Sequence, residues 1–377
     1  MNIKLLMALF FNFSLILTAY SQPAPQSTIQ RLQKIYPNQS KEFIELRFKN
    51  AQSVFDKWRS FPPYFYEMVK GSKLISKLSS RQGFCTGDPH IENFGFLPLK
   101  KDSVHFGIND LDDATNCKLD LDLIRLYMAH KFFGVQFRGE SFYKSYQLGL
   151  SGSQCKHPQY VKELEKDALK KGRSISKKAL KMLEEKSCSG EFSFISQDEQ
   201  QKIISILEKE SPLSKIKSLK LIHACSRLKS HGGSAGEKRY VLFIQDHLGD
   251  LHHLELKPLV IPAPDVGAGI SIQKRKEIFN RSVALFYGEE LHKEYFPIVF
   301  QDKLYQRRPL WSGVQEISSE DLLKLATEEK QDVLDFEACT LGSLHRQTSQ
   351  LPMTLEFSQM EAISLEWEKQ FRQEMGH

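Results

Sequence analysis

The sequence predicts an α+β protein in which helices surround a small antiparallel β unit. Apolar residues recur with a helical period in the segments 41–58, 65–79, 119–136, 157–186, 272–293, 319–346 and 355–374. Around 213–260 the apolar period changes to two, which is the period of a half-buried strand. Because strands and helices do not alternate along the chain, this order argues against a doubly wound parallel sheet.

The first 21 residues have the pattern of a secretory signal peptide. Residues 5–17 are almost entirely apolar, and small residues occupy positions 19 and 21, which a signal peptidase reads. A retained membrane anchor is the weaker alternative, because the run is shorter than the roughly 20 apolar residues of a spanning helix. We therefore expect an exported protein, periplasmic or extracellular, that begins with a flexible leader over 22–40.

The cysteine pattern is compatible with export. The exported part would carry all six cysteines, Cys85, Cys117, Cys155, Cys188, Cys225 and Cys339. An even number in an oxidising compartment permits up to three disulfides, although the spacing does not select the pairs. No CxxC pair occurs, which argues against a cysteine zinc site.

The formal net charge of +6 is a mild basic excess that is concentrated between Lys162 and Lys186. Nine Lys or Arg residues face five acids in that segment. It is either a contact for phosphates or the envelope surface, or simply the solvated face of one or two helices. Nucleic-acid binding has little support, because interleaved aromatic residues and a reading module are missing.

A polar motif, GDPHIENFG at 87–95, directly precedes a predicted hairpin. The hairpin pairs apolar segments 94–99 and 104–108 across a polar turn, and it is followed by Asn-Asp-Leu-Asp-Asp at 109–113. Closure of the hairpin would bring Asp110 beside the loop that carries Asp88 and Asn93. Carboxylate and carboxamide oxygens that converge in this way are suitable ligands for Mg²⁺.

These segments resemble the bacterial domain of unknown function 2252 family. The stretches CTGDPHIENFGF, INDLDDA and LDLIRL carry the resemblance. That family is itself similar to the aminoglycoside-phosphotransferase branch of the protein-kinase-like superfamily, whose loop reads H-G-D-x-H-x-x-N. The resemblance covers roughly residues 40–350 and is most specific in the catalytic-loop and metal motifs.

The resemblance implies a role for each matching residue. Asp88 would be the catalytic base, Asn93 and Asp110 the Mg²⁺ ligands, and Asp122 a structural acid beneath the loop. His90 matches the second histidine of the pattern and would act in catalysis or stabilise the loop. Thr86 replaces the first histidine, so a different group must fix the loop backbone here.

A second part of the resemblance lies in SRLKSHGGSAGEKRYVLFI and LHHLELKP. Gly233, Ser234 and Gly236 match a glycine loop that binds phosphates, although His231 replaces its first glycine. Lys257, on the following strand, would reach the same phosphates. By themselves these glycines could equally form an ordinary surface turn.

The implied fold is a two-lobed, kinase-like fold that is circularly permuted, since the catalytic loop precedes the glycine loop in the chain. The helical lobe would span 41–212, the small β lobe 213–262, and a helical part at 263–377 would complete the large lobe. Glu277 is the predicted partner of Lys257, with Glu289 as the second choice.

The predicted function is an exported phosphotransferase that moves a phosphoryl group from a Mg²⁺-nucleotide, ATP or another, to an unidentified hydroxyl acceptor. Two alternatives remain: a non-catalytic kinase-like binding module of the envelope, and a metal-dependent hydrolase or Ca²⁺-stabilised protein that uses the same acids. Asp112 and Asp113 are either solvated turn residues or a further contact for the metal, and Asp112 is the preferred candidate for that contact.

Overall fold

A computed structural model describes residues 26–100, 102–188, 190–210, 219–229, 233, 235–349 and 352–376. The predicted signal peptide, 1–21, lies outside these residues, as do His231 and Ser234 of the glycine loop. Within the described part the fold is mixed α+β with antiparallel sheets, as the sequence predicts.

The helices account for most of the secondary structure. Their bounds are α1 Gln26–Ile35, α2 Lys41–Asn50, α3 Val54–Ser60, α4 Pro62–Lys70, α5 Leu119–Phe133, α6 Gly139–Ser151, α7 Gln159–Lys171, α8 Lys177–Glu184, α9 Gln197–Glu210, α10 Ile272–His292, α11 Ser319–Lys324, α12 Thr327–Arg346 and α13 Phe357–Met375. Serine side chains cap several N-termini; Ser40, Ser53 and Ser271 each accept a hydrogen bond from a backbone N–H of the first turn.

The strands form three antiparallel sheets. Their bounds are β1 Gln82–Cys85, β2 Phe94–Pro98, β3 Val104–Ile108, β4 Thr115–Lys118, β5 Phe192–Phe194, β6 Lys220–Leu228, β7 Lys238–Gln245, β8 Leu251–Pro258, β9 Phe296–Phe300, β10 Lys303–Pro309 and β11 Gln315–Glu316. The largest sheet has the order β5-β6-β7-β8-β10-β9, and the other two pair β1 with β4 and arrange β11-β2-β3.

The six-stranded sheet has two chemically different faces. One face is apolar and packs with Ile203 and Leu207 of α9 around a second core that includes Tyr240, Leu242 and Leu256. Because side chains alternate along a strand, the opposite face carries the intervening residues, many of which are charged. This charged face looks towards the helical part of the molecule, where the candidate site lies.

The main core joins the helices and the two small sheets. Its centre is aromatic: Trp58 packs against Phe65, Phe132 and Phe371, with ring centroids 4.9–5.1 Å apart. Trp58 and Phe371 are fully buried. Aromatic rings of this size contribute large apolar areas, so the cluster is a principal source of stability.

All six cysteines are paired. The disulfides are Cys85–Cys117, Cys155–Cys339 and Cys188–Cys225. The first joins β1 to β4 at the residue that precedes the Thr86–Asp88 loop, and the second joins the chain after α6 to α12. The number is the maximum that the sequence permits.

Several segments differ from the sequence predictions. Part of the predicted flexible leader is the amphipathic helix α1, in which Ile29 and Leu32 are buried. The predicted helix over 41–58 is two helices, since the chain turns at 51–53 before the capping serine of α3. The β unit extends beyond 213–262 because β5, β9 and β10 complete its sheet.

The basic segment between Lys162 and Lys186 lies mainly on α7 and α8, where the lysine side chains are largely exposed. Among the described residues, no helix combines the length and the apolar character needed to cross a bilayer.

Candidate functional site

Two loops meet in direct backbone contact at the centre of the site. Gly87 has a φ of +82°, and a Cβ atom there would lie 1.9 Å from the carbonyl oxygen of Asp113. The position therefore requires glycine for its conformation and for the close approach. Since Asp88 follows Gly87, and Asp110 and Asp112 precede Asp113, the contact brings these carboxylates to one place.

Asp122 fixes the loop that contains Thr86, Gly87 and Asp88. It is fully buried on α5, and its carboxylate accepts hydrogen bonds from Thr86 N at 2.5 Å, Thr86 Oγ1 at 2.9 Å and Gly87 N at 3.0 Å. His345 contributes a further contact at 3.1 Å. Thr86 thus ties the loop to Asp122 through its backbone N–H and its hydroxyl.

Asp88 projects from this loop towards Arg125 of α5. The Arg125 Nε lies 3.0 Å from the Asp88 carboxylate, and the guanidinium stacks on Trp58 with 4.4 Å to the ring centroid. Burial raises the pKa of Asp88, and the opposing charge of Arg125 limits this rise. Asp88 is therefore held in place by Arg125 at the edge of the cavity, where its side chain is mostly buried.

His90 is adjacent to Asp88 but makes no hydrogen bond to it. The His90 Nε2 is 3.7 Å from the Asp88 carboxylate, and its Nδ1 is buried without a partner. Burial, together with Arg59 and Arg125, holds the pKa of His90 well below its usual range, so the ring is neutral at physiological pH.

Asn93 connects the loop of Asp88 to the hairpin. Its Nδ2 donates a hydrogen bond to the Asp88 carbonyl at 2.8 Å, which leaves Oδ1 as an acceptor for another group. Its backbone carbonyl accepts from Asn109 N at 2.9 Å. This second bond fixes the base of the hairpin, where Asp110 begins the acidic loop.

Lys257 reaches the acidic loop from β8. Its Nζ lies 2.5 Å from the Asp110 carboxylate and also contacts the carboxylate of Asp112. Gln306, opposite Lys257 on β10, donates to Asp112 Oδ1 at 2.8 Å. The lysine from the β unit and the acids from the early loop thus meet in one cluster, although they are far apart in the chain.

The acids of the loop differ in their protonation. Burial acts on Asp110, but Lys257 and Arg308 outweigh it and hold the pKa of Asp110 below its usual range. Burial and the Asp110 charge raise the pKa of Asp112 to about 6. Burial, with Asp88 and Asp112, raises the pKa of Asp113 to about 7. Neither Asp112 nor Asp113 is a solvated turn residue, since Asp112 is buried, Asp113 is half-buried, and both carboxyl groups accept hydrogen bonds.

The charged face of the six-stranded sheet forms the opposite wall. Glu255 on β8 accepts contacts from Arg308 at 2.8 Å, Arg239 at 3.2 Å and Arg227 at 3.4 Å. These arginines, with Arg125, are residues that the sequence analysis missed. Arg125 gave a signal, because it is a charged residue inside the apolar helical run LDLDLIRL, whereas the arginines of the sheet match no motif.

The glycine segment forms a turn between β6 and β7. The carbonyl of Gly233 accepts from Arg47 at 3.0 Å, and that of Ala235 accepts from Gln39 at 2.8 Å. Gly236 has a φ of +85°. The turn is therefore fastened to the segment that joins α1 and α2, and to α2 itself. The predicted contribution of Ser234 falls outside the described residues.

A single open cavity of about 1270 Å³ connects these groups. The predicted residues that line it are Asp88, His90, Asn93, Asp110, Asp112, Gly233, Gly236 and Lys257. This volume exceeds the range of roughly 300–1,000 Å³ that is typical of small-ligand sites. Asp122 acts from behind the loop and does not line the cavity.

Glu277 is not the partner of Lys257. It is exposed on α10, where it contacts Lys274 at 3.5 Å and Gln273 at 3.3 Å. Lys257 is instead paired with Asp110 and Asp112. The prediction failed because the sequence did not give the rotation of α10, and the helix turns Glu277 towards solvent.

A family model described as an uncharacterized protein conserved in bacteria, domain of unknown function 2252, matches residues 64–136. The matched part contains the loops of Asp88, Asn93 and Asp110, together with Asp122 and Arg125 of α5. No curated protein and no solved structure gave a significant match.

Proposed function

We propose that this protein is a Mg²⁺-dependent phosphotransferase with a kinase-like arrangement of its site. One observation carries the proposal: the Lys257 ammonium, from the β unit, lies 2.5 Å from the Asp110 carboxylate, which belongs to the acidic loop beside Asp88. A phosphate-binding lysine, a metal-binding acid and a candidate base thus share one cavity.

The residues of the acidic wall are suited to Mg²⁺. Asn93 Oδ1 and the carboxylates of Asp110 and Asp112 are hard oxygen donors on two adjacent loops, and they leave room for substrate oxygens and water. When bound, the ion would neutralise charge on the transferred phosphoryl group. Lys257 would then turn from the two acids to the phosphates.

Asp88 is the proposed base for the acceptor hydroxyl. Burial moves its pKa towards neutrality, which favours proton acceptance, while Arg125 keeps the carboxylate in a single orientation. The neutral His90 beside it adds no charge at physiological pH. Positioning and electrostatics, rather than a covalent intermediate, would supply the rate enhancement.

The order of the segments supports a permuted kinase-like fold as part of this proposal. The antiparallel sheet with its glycine turn and lysine follows the catalytic-type loop in the chain, yet it faces that loop across the cavity. Export is also part of the proposal. Three disulfides favour an oxidising compartment, where the phosphate donor would have to be delivered from elsewhere.

A binding module without catalysis is the second candidate, and it too has a specific observation. Each central acid is already paired inside the protein, Asp88 with Arg125, and Asp110 and Asp112 with Lys257. A site neutralised in this way could serve only to recognise a partner. The candidates differ in whether Asp88 is required for turnover.

Transfer of a labelled terminal phosphate tests the proposal. With Mg²⁺-ATP and candidate hydroxyl acceptors, Asp88→Asn should lose turnover by a factor of at least about 10³ and keep nucleotide affinity within about twofold, because the change removes a base but not a phosphate contact. Asp332→Asn, at an exposed position of α12, is the control.

Nucleotide binding separates the candidates further. Asp110→Asn and Lys257→Ala should each weaken nucleotide binding, measured by calorimetry in a constant excess of Mg²⁺. Failure of Mg²⁺ with several nucleotides at millimolar concentration to stabilise the native protein would contradict the phosphotransferase proposal. Metal binding that needs no phosphate and does not depend on Lys257 would favour the hydrolase alternative.

A further inference from the structure

Lys229 occupies the root of the glycine turn. It directly follows β6, its carbonyl accepts a hydrogen bond from Gly236 N at 2.8 Å, and its own N–H donates to Glu237 O at 3.4 Å. These bonds close the turn and fix the Cα of Lys229 at its open end. The side chain starts from a defined position and lines the cavity.

The Lys229 ammonium differs from the other cations on the charged face of the sheet. Lys257 is paired with the acidic loop, and Arg308 is paired with Glu255. In the part of the chain that the structure describes, the Lys229 ammonium makes no ion pair and no hydrogen bond. Its side chain is nevertheless half-buried in the cavity wall.

The charged face of the sheet has a surplus of cations. Its cationic residues that line the cavity are Arg227, Lys229, Arg239, Lys257 and Arg308. Glu255 is the acid that they share on that face, and Asp110 and Asp112 across the cavity are held by Lys257. Glu237, which is paired with Lys303, and Glu316 on β11 also line the cavity. A concave wall with this balance of charge attracts a polyanion.

The protonation of Lys229 reflects the same surplus. Burial, followed by the charges of Arg239 and Lys257, lowers the pKa of Lys229 to about 7; Asp110 opposes this effect and Arg308 adds to it. An ammonium in such surroundings is unfavourable in the empty protein and becomes favourable when an anion binds beside it.

We propose that Lys229 binds oxygens of a linear phosphate chain, and that it forms with the charged face of the sheet a phosphate subsite that is independent of the metal. The ligand is a nucleoside triphosphate or an inorganic polyphosphate, which share this chemistry. The inference deepens the proposed function. Only one part of it rests on that function, namely that the bound anion serves as the phosphoryl donor.

Calorimetry with inorganic tripolyphosphate in the absence of Mg²⁺ tests the subsite. Lys229→Gln should weaken binding at least about tenfold, whereas Lys229→Arg should retain it, because the arginine restores a cation at the same position. Lys220→Gln is the matched control, since Lys220 is exposed on the same strand, and it should bind like the native protein.

The pH dependence gives a second readout. The charges that act on the amine are those of Arg239, Lys257 and Arg308 on the other strands and of Asp110 across the cavity. Arg227, Glu237 and Glu316 line the same cavity. Raising the pH from 7 to 8.5 should weaken binding to the native protein by about tenfold, because the free protein loses the Lys229 proton. Lys229→Arg should remove this loss. The ligand has the opposite trend, since a terminal phosphate only gains negative charge above about pH 6.

The outcomes distinguish this inference from the proposed function. Equal affinity of the native protein and Lys229→Gln for tripolyphosphate, or no binding to the native protein at millimolar concentration, would overturn the inference. Loss of binding in Lys229→Gln supports it even in a protein that transfers no phosphoryl group. A parallel titration with ATP identifies the source: equal affinity for both ligands indicates that the phosphate chain alone is recognised, and tighter ATP binding that still depends on Lys229 indicates a nucleoside triphosphate.

Discussion

At the scale of single residues, the site depends on positions that accept only one type of amino acid. Gly87 is the clearest, because its backbone has a positive φ and also touches Asp113. Gly134 has a nearly equal φ of +80°, but a Cβ atom there would meet nothing within 4 Å. A substitution at Gly134 therefore tests the strain of a positive φ alone, whereas a substitution at Gly87 adds the clash of a Cβ atom with Asp113.

Gly87→Ala should destabilise the protein by about 3 kcal/mol or more, because the new methyl group would displace the Asp113 backbone in addition to straining φ. Gly134→Ala should cost only about 1–2 kcal/mol, since only the left-handed conformation is affected. Urea unfolding followed by tryptophan fluorescence measures both. Equal losses of stability would mean that the loops are not in contact.

Asp113 shows how burial couples the site to pH. In the unfolded chain its carboxyl ionises near pH 4, whereas in the folded protein its pKa is about 7. Between these values the folded state holds a proton that the unfolded state has lost, so the contribution of Asp113 to stability decreases as the pH rises, and the full loss is present above pH 7.

Asp113→Asn should remove this loss, because the amide oxygen can still accept the hydrogen bond from Ala263 N, which is 2.7 Å long in the native protein. The gain in free energy of unfolding should be larger at pH 8 than at pH 4.5 by about 2–4 kcal/mol. Asp332→Asn, at its exposed position, should show no such difference. A gain for Asp113→Asn that does not vary with pH would contradict the argument.

At the scale of elements, α1 is the main addition to what the sequence predicted. Its residues Ile29 and Leu32 are buried in the main core, Thr28 Oγ1 donates to the Glu374 carbonyl of α13 at 2.5 Å, and Arg31 pairs with the Glu374 side chain. Tyr36, which follows α1, lines the cavity. The helix thus belongs to the folded body and to one wall of the site.

Leu32→Ala should therefore cost about 2–5 kcal/mol, since Leu32 is fully buried and its truncation leaves a cavity. Leu46→Ala on α2 is the control, because that side chain is 49% exposed and its loss should cost about 0.5 kcal/mol or less. Chemical denaturation measures both variants. An unchanged free energy of unfolding in Leu32→Ala would contradict the packing of α1 in the core and would support the prediction of a flexible leader.

The elements that the sequence predicted well have a strong local period. The hairpin of β2 and β3 and the helix α5 appear close to their predicted positions, and β7 and β8 lie within the segment 213–260, where the period of two predicts strands. The short strands β1, β4 and β5 were not predicted, because three or four residues give no measurable period and their pairing partners are distant in the chain. Leu32 and Ile29 were missed since the composition of the preceding residues suggested a leader.

At the scale of the whole molecule, the sequence predicted which residues share the site better than it predicted how they are held. Asp88, Asn93 and Asp110 lie on consecutive loops, so local geometry brings them together. The meeting of Asp110 with Lys257 depends on long-range packing, and the sequence supported it only through a resemblance. The partner of Lys257 could not be predicted, because the choice among nearby acids depends on the orientation of whole elements.

The Lys257 bridge also predicts an order of binding. Its ammonium contacts both Asp110 and Asp112, at the position where the proposed divalent ion would bind. Mg²⁺ alone should therefore raise the melting temperature little, because it would have to displace a paired lysine. Mg²⁺ together with tripolyphosphate should raise it by more than the sum of the two separate shifts, because the phosphates accept the displaced ammonium.

Lys257→Ala should reverse this order. Removal of the ammonium leaves the buried Asp112 and the half-buried Asp110 without this cation, which should destabilise the protein by about 1–3 kcal/mol, and a divalent ion should restore part of that loss without any phosphate. Lys220→Ala, on the exposed part of β6, should respond to Mg²⁺ as the native protein does. Melting curves with Mg²⁺ alone distinguish the possibilities: if the ion stabilises the native protein as much as Lys257→Ala, then Lys257 does not compete for the metal position, and the acids and the lysine do not form one site with two alternative occupants.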